Sequence, residues 1–220
     1  MDYHQTLAFL DSLVDYERER PRRYDAATYD LDRFREVLDR MGSPERAYPI
    51  IHVVGSKGKG STAATAASII RAAGKSVGVF SSPHLQTVRE RIAVDGVDIT
   101  PADFGRAVTA ARTAMPEAPR GVFRTYFETL CAAALWYFRE RGVDYAMVEA
   151  GLGGRLDATN VITPCVVAIT TLDLEHTEVL GPTLADIARE KGAVMKPGVP
   201  AVSAPQPREA AAVLRAIAQR

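Results

Sequence analysis

Several things are scarce in this 220-residue sequence, and each scarcity excludes something. There are two cysteines, Cys131 and Cys165. Cys131 falls among apolar helix-like residues and Cys165 opens an apolar strand-like run, so both read as buried reduced thiols and not as a disulfide or a metal pair. No apolar run approaches the length of a bilayer span, which excludes a membrane helix. The first residues, Met1-Asp2-Tyr3-His4, offer neither a basic region nor an apolar stretch of the kind that marks a signal peptide. Together these features point to the cytoplasm. Charge of one sign is not in excess either: 27 Lys and Arg balance 27 Asp and Glu. A nucleic-acid or other polyanion surface has no support in that balance. What is present is ordinary for a globular chain, 47% apolar and 25% charged residues. The length suffices for one large domain, or one with appendages.

One stretch organises the rest, Ile50-Ile51-His52-Val53-Val54-Gly55-Ser56-Lys57-Gly58-Lys59-Gly60-Ser61-Thr62. A largely apolar run stops at a glycine-rich turn, and an alanine-rich segment of high helix propensity follows from Ala63 to Ala73. Strand, glycine loop and helix form the setting of a phosphate-binding loop. Glycines let the backbone approach a phosphate, and the free N–H groups and positive dipole end of the helix face the anion. Lys59 adds a full charge, and Ser61 or Thr62 can offer a hydroxyl to Mg²⁺. Gly55, Lys57, Gly58, Lys59, Gly60, Ser61 and Thr62 are therefore the candidate phosphate-binding residues, the ones that would hold ATP if the ligand is that nucleotide. The commonest pattern, G-x-x-x-x-G-K-[ST], is not met, because Gly60 separates the lysine from the hydroxyl. A plain tight turn is the alternative, but one glycine would satisfy it, whereas three glycines and two lysines crowd six positions here.

The flanking sequence alternates helices with strands. Leu7, Leu10, Leu13 and Val14 predict a helix over 3–16, and Leu31, Phe34, Val37, Leu38 and Met41 a second one stopped by Gly42 and Pro44. Between them Glu17 to Tyr29 reads as a charged, solvated loop carrying Arg18, Arg20, Arg22 and Arg23. Strands are expected at Ile50 to Val54, Ser76 to Phe80, Tyr145 to Glu149, Cys165 to Ile169 and Ala201-Val202. Asp95-Gly96 signals a hairpin turn, and Thr100-Pro101-Ala102-Asp103 a helix start with proline at its first position. A long buried helix spans Thr125 to Arg141 with Phe127, Leu130, Cys131, Ala134, Leu135 and Phe138 inward, and Gly142 ends it. Thr183 to Lys191 and Pro207 to Gln219 read as further helices, while Ala150 to Asn160 shows no element of its own. The alternation implies an α/β fold with a mostly parallel sheet. Residues 1–48 read as a helical segment packed on the same domain, and 49–220 as a phosphate-loop domain.

Ligands of open α/β sheets sit beyond the carboxyl ends of the strands. That rule puts four stretches on one rim: Gly55 to Thr62, Ser81 to Leu85, Glu149 to Asn160 and Asp173 to Glu178. Mg²⁺ takes oxygen ligands and keeps several waters, and Ser61, Ser82 and Glu149 suit it. A carboxylate closing a buried strand, as Glu149 does, is costly unless something pairs with it. His176 is a less usual Mg²⁺ ligand, and a hydrogen-bonded loop histidine is its rival reading.

These stretches resemble the folylpolyglutamate synthase family, which includes the bifunctional dihydrofolate synthases, within the Mur ligase superfamily. The residues that carry the resemblance are His52 to Ser61, Ser81-Ser82-Pro83-His84-Leu85 with Arg89 to Ile92, Thr125 to Glu128, Glu149 to Asn160, and His176-Thr177 with Glu190-Lys191, in family order. The segment from Glu149 is the most specific, and a glycine at the position of Gly60 is usual in the family. The resemblance implies ATP-dependent amide formation: a carboxylate of folate or dihydropteroate takes the γ-phosphate, and the amine of L-glutamate displaces phosphate from the acyl phosphate. It implies that Ser61, Ser82 and Glu149 serve one Mg²⁺ and Glu149 with His176 a second. It also implies catalytic roles for Lys59, Lys191 and His176, with Lys191 at a position that is carbamylated in relatives. A plain exposed lysine is the alternative there. Thr125, Phe127, Asp157 and Ala158 match positions that hold the pterin, and Ser82 and His84 are placed with the folate or pteroate. Phe127 taken alone reads as core.

Family members carry a further part of the ATPase domain and a C-terminal domain that supplies most of the glutamate site, so the expectation is an incomplete ATPase domain, monomeric in a full-length protein. A second reading is a nucleotide-binding half without turnover, dependent on a partner chain or the missing domain. A third, an unrelated phosphate-loop kinase or NTPase, is opposed by the glycine-rich segment from Glu149.

Overall fold

The computed structural model describes residues 1–18, 25, 29–116 and 125–219. Arg20, Arg22 and Arg23 of the expected charged loop lie outside the described residues. Along the chain run α1 (Tyr3–Asp11), α2 (Leu31–Arg40), β1 (Ile50–Val54), α3 (Lys59–Ala72), β2 (Val77–Phe80), β3 (Ile92–Val94), β4 (Val97–Asp98), α4 (Pro101–Ala114), α5 (Tyr126–Arg141), β5 (Tyr145–Glu149), β6 (Val166–Ile169), α6 (Thr177–Leu180), α7 (Leu184–Gly192), β7 (Ala201–Ser203) and α8 (Arg208–Ala218). Side-chain caps explain several starts. Asp2 and Asp30 accept from backbone N–H groups in the first turns of α1 and α2, and Thr100 does the same for α4 with Pro101 behind it. Thr125 and Glu128 cap α5 reciprocally, and Gly142 closes it in the left-handed region.

The strands form one seven-stranded sheet in the order β4-β3-β2-β5-β1-β6-β7. β2, β5, β1, β6 and β7 are parallel, as expected, and β3 and β4 add an antiparallel hairpin turned at Asp95 and Gly96, both at positive φ. β1 is central, so the glycine loop leaves from the middle of the carboxyl rim. Alternation along β1 separates two faces. Val53 joins Ala63, Ala67, Val77 and Met147 under α3. Ile50 faces the core of α2, α4 and α5, which holds Phe34, Phe104, Leu130 and Phe138, while Val54 faces Val167, Ala188, Val194 and Leu214 beneath α7 and α8. Gly78 belongs to this packing, since a Cβ there would lie 2.5 Å from the Phe138 ring. On the α3 face the sheet is left bare at its β7 edge: all three residues of β7 are exposed, and Val202 keeps 64% of its surface.

Three expectations need correction. α1 ends at Asp11, not Tyr16, because the chain leaves the helix to make tertiary bonds: the Val14 carbonyl accepts the Tyr126 N–H. The segment after β5 is not featureless, for Ala158–Val161 forms a 3-10 turn whose N-cap is Asp157. Cys165 is exposed, one residue outside β6, whereas Cys131 is fully buried as expected.

Candidate functional site

The site is assembled at the carboxyl end of β1. Gly55 ends the strand at φ +153°, and a Cβ there would collide with the Thr170 side chain at 1.8 Å. Gly58 takes φ +83° as the N-cap of α3 and brings no side chain to cap it. The first N–H groups of α3, from Lys59, Gly60 and Ser61, thus begin the helix without a side-chain cap, which is the arrangement that receives an anion. The loop is held from the other side, where Ser56 and Lys57 donate their backbone N–H groups to the Thr171 carbonyl.

Lys59 and Glu149 face one another across this turn. The Lys59 ammonium lies 3.9 Å from the Glu149 carboxylate, which is buried to 3% exposure at the end of β5. Glu149 also accepts the Ser82 backbone N–H at 3.3 Å. Burial pushes the Glu149 carboxyl above its ordinary range, and Lys59 and the Ser82 N–H pull the other way. The structure therefore brings together Lys59, Gly60, Ser82 and Glu149, as the sequence suggested. Lys57 behaves otherwise. Its ammonium is exposed and paired with Asp173 at 2.5 Å, so the described conformation directs it to the rim after β6 and not to the phosphate position.

Lys191 is a buried cation, 2% exposed near the end of α7. Its ammonium donates to the Gly55 carbonyl at 3.0 Å and pairs with Glu175 at 2.7 Å. Desolvation draws its pKa down, opposed by Glu175 and assisted by the charge of Lys59. This is not the exposed helix lysine of the plainer alternative. His176, next to Glu175, takes φ +47° at the start of α6 and is exposed, and its side chain makes no capping bond. Among the described residues no group of three His, Cys, Asp or Glu side chains converges on a metal position. Glu149 is the carboxylate that could hold Mg²⁺ here: it accepts the Ser82 backbone N–H, and a Cβ on Gly60, which precedes Ser61, would lie 3.6 Å from its Oε2.

The glycine-rich segment after β5 braces these parts. Gly154 lies so close to α7 that a Cβ would stand 2.7 Å from the Glu190 carbonyl and 3.0 Å from the Lys191 Cα. Arg155 pairs with Glu190 at 2.8 Å. Gly151 lies against Phe127, which is half-buried and tilted on Phe80 with centroids 5.5 Å apart. Asp157 is buried, with Gly151 and Leu152 donating backbone N–H groups to one oxygen and the Thr159 N–H and hydroxyl to the other. Ala158 is buried at the start of the turn, and Thr125 is occupied as the α5 cap. His84 accepts at Nδ1 from the Arg91 Nε at 2.8 Å, which leaves Nε2 as its N–H. Burial and then Arg91 lower the His84 pKa.

No family model matches the chain. Individual relatives do. The chain is 38% identical over 219 residues to the folylpolyglutamate synthase of Lacticaseibacillus casei, a match covering 98% of this chain and 49% of that protein. It is 38% identical over 193 residues to the dihydrofolate synthase/folylpolyglutamate synthase of Bacillus subtilis (strain 168), covering 86% and 45%. It superposes on the structure of an FPGS–AMPPCP–folate complex with a TM-score of 0.88 at 36% identity, over 100% of this chain and 52% of that one. The chain belongs to the folylpolyglutamate synthase family. It spans about half the length of these relatives. The resemblance read from the motifs and the mostly parallel α/β fold are both borne out.

Several residues of this folylpolyglutamate synthase-like site escaped the sequence reading. Glu175 carries the ion pair to Lys191, and nothing in its local sequence sets it apart from its neighbour His176. Asp173 anchors Lys57. Glu17 holds the buried Arg91 guanidinium by both carboxylate oxygens, and Arg91 in turn sets His84. His52 had a visible signal, a histidine inside an apolar strand, but its partner Thr159 is 107 residues away.

Proposed function

We propose that the chain is the nucleotide- and pteroate-holding part of an ATP-dependent amide ligase that joins L-glutamate to a folate or dihydropteroate, acting with a glutamate-binding domain beyond these residues. The observation that carries the reading is the convergence of Lys59, Glu149 and Lys191 on the turn from Gly55 to Ser61. Phosphoryl transfer needs its charge neutralised and its parts held in line more than it needs covalent chemistry from the protein. Lys59 and the first N–H groups of α3 supply the donors to the phosphates. A cleft of about 260 Å³ beside Lys57, Gly58 and Thr62, walled by Ala168 to Thr171 and Val202, gives the rest of a nucleotide a place next to the loop. Mg²⁺, held by Glu149, Ser61 and Ser82, would neutralise phosphate charge; His176 would need to turn inward to join a second ion. The carboxylate of the pteroate or folate would attack the γ-phosphorus in line as ADP leaves, giving an acyl phosphate; the glutamate amine would then attack the acyl carbon, losing a proton as phosphate leaves.

Lys191 fits the carbamate reading on its own evidence. A carbamate forms when a neutral amine attacks CO₂ and loses a proton, and burial favours the neutral amine here. The product would set a second anion beside Glu175, a pattern that a divalent cation balances. Phe127, with Gly151 against it and Ala158 in the same apolar cluster, would offer a wall for a pterin ring, and His84 and Ser82 would meet the polar part of that substrate. The other reading, a nucleotide-binding half without turnover, rests on the share of the relatives that this chain spans. ATP-dependent incorporation of labelled glutamate into pteroate or folate by the chain, alone and with the C-terminal half of a relative added, distinguishes the two. Product in either arm supports the ligase reading, and nucleotide binding without product in both supports the other.

A further inference from the structure

The interior holds one polar chain that phosphate transfer does not use. His52 sits in the middle of β1, wholly buried, with Nε2 2.8 Å from the Thr159 hydroxyl. The Thr159 hydroxyl also reaches Asp157, and the Thr159 N–H donates to the same carboxylate oxygen at 2.9 Å. Gly151 and Leu152 fill the second oxygen, each at 2.9 Å. Four donors thus occupy the acceptor capacity of an ionised carboxylate. The single Thr159 hydroxyl proton is committed to Asp157, so the threonine oxygen must accept from His52. That makes His52 the Nε2–H tautomer.

We propose that His52 is a positioning residue for the substrate loop: through the Thr159 hydroxyl it fixes the Asp157 carboxylate, and with it the Gly151–Leu152 backbone against Phe127. The inference rests on the pteroate reading above and deepens it. Its physical support is a cost that goes unreturned elsewhere. The His52 Nδ1 is buried with no hydrogen-bond partner among the described residues. Burial, with Lys196 nearby, drives the ring's pKa down to about 3, so it is neutral and contributes no ion pair. An aliphatic side chain would fill the same place in β1 without leaving a polar atom unsatisfied. The one return for histidine here is the bond to Thr159. β1 is also the right anchor, because Val53 pairs in register with Glu149 and Gly55 begins the phosphate loop. Thr159 is thereby tied to the strand that sets both. Asp157, in this arrangement, shapes the loop backbone and has no oxygen left over for a ligand.

The test uses the 220-residue chain with His52→Leu, His52→Gln, Thr159→Ala and Thr159→Ser. Amide hydrogen exchange at Gly151 and Leu152 is measured, together with calorimetric affinities for pteroate and for Mg²⁺–AMPPCP. Loss of one net hydrogen bond corresponds to roughly a tenfold change. His52→Leu and Thr159→Ala are expected to lose about that factor in protection at the two amides and in pteroate affinity, with nucleotide affinity unchanged. Thr159→Ser, which keeps the hydroxyl, and His52→Gln, which keeps an N–H, are expected to stay near wild type. Wild-type protection and pteroate affinity in the leucine and alanine variants would overturn the proposal. So would a uniform loss of protection and of both affinities, which marks a general packing role. If the unaltered chain binds no pteroate, the pteroate reading fails separately, and the exchange at Gly151 and Leu152 still decides whether His52 positions the loop.

Discussion

Glu149→Gln separates the stability of this fold from its function. The side chain is 3% exposed, and its nearest cation, Lys59, is 3.9 Å away. At an effective dielectric constant of about 20 that pair attracts by roughly 4 kcal/mol, against a desolvation cost of several kcal/mol per ion. The upward displacement of the Glu149 pKa, led by burial, shows which effect wins. A neutral amide removes the losing charge and can still accept the Ser82 N–H. Lys59, partly exposed, can turn its ammonium to water. The ligand-free variant is therefore expected to melt no lower than wild type, and a gain of about 1 kcal/mol would raise Tm by about 2–4 °C. The pH dependence has a definite sign. The folded carboxyl holds its proton more tightly than the unfolded one, so this group's contribution to stability falls as pH rises from about 4.5 through the folded pKa. The glutamine variant lacks that decline. Binding should move the other way. Mg²⁺–AMPPCP at about 100 times Kd stabilises a protein by about 2.7 kcal/mol, or roughly 5–10 °C for a chain of this size. Wild type should show that rise in thermal melts with Mg²⁺, and Glu149→Gln should lose most of it. A variant that melts several degrees lower without ligand yet keeps the full Mg²⁺-dependent rise would refute the reasoning and make Glu149 a structural partner of Lys59.

Three further outcomes are expected. Lys191→Ala removes the donor to the Gly55 carbonyl and the partner of Glu175, and it should impair acyl-phosphate formation, with added small carboxylates restoring part of it; full activity in the variant, or an unmodified lysine by mass spectrometry of active protein, would count against the carbamate. Gly154→Ala drives a methyl into the backbone of α7 and should cost about 1–3 kcal/mol in denaturant unfolding, as overpacking does; an unchanged midpoint would show that the loop does not clamp α7. Val202→Lys, on the bare β7 edge, should reduce self-association of the chain in light scattering, because charge blunts an exposed strand edge.

Local chemistry made much of the fold readable. The cap at Thr100, the stop at Gly142, the Asp95-Gly96 turn and the apolar run into Gly55 each act within a few residues, and each appears where its pattern places it. Lys59, Ser82 and Glu149 were readable because strand ends on one rim must converge. What the pattern missed depends on pairing across long separations. Nothing near Lys57 announces Asp173, and nothing near Lys191 announces Glu175. Leu13 and Val14 continued the helical spacing of α1, but a bond to Tyr126 over a hundred residues away outweighed it. Cys165 looked buried from its apolar followers, yet it stands before β6 begins.

The central claim is that the turn from Gly55 to Ser61 binds the phosphates of a nucleotide through Lys59. Calorimetric titration of the chain with Mg²⁺–AMPPCP, beside Lys59→Ala, tests it most directly. Saturable binding by the unaltered chain is expected, weakened by at least about tenfold in the variant, which loses a charged hydrogen-bond donor. No binding by the unaltered chain, or equal affinity in the two proteins, would contradict the claim.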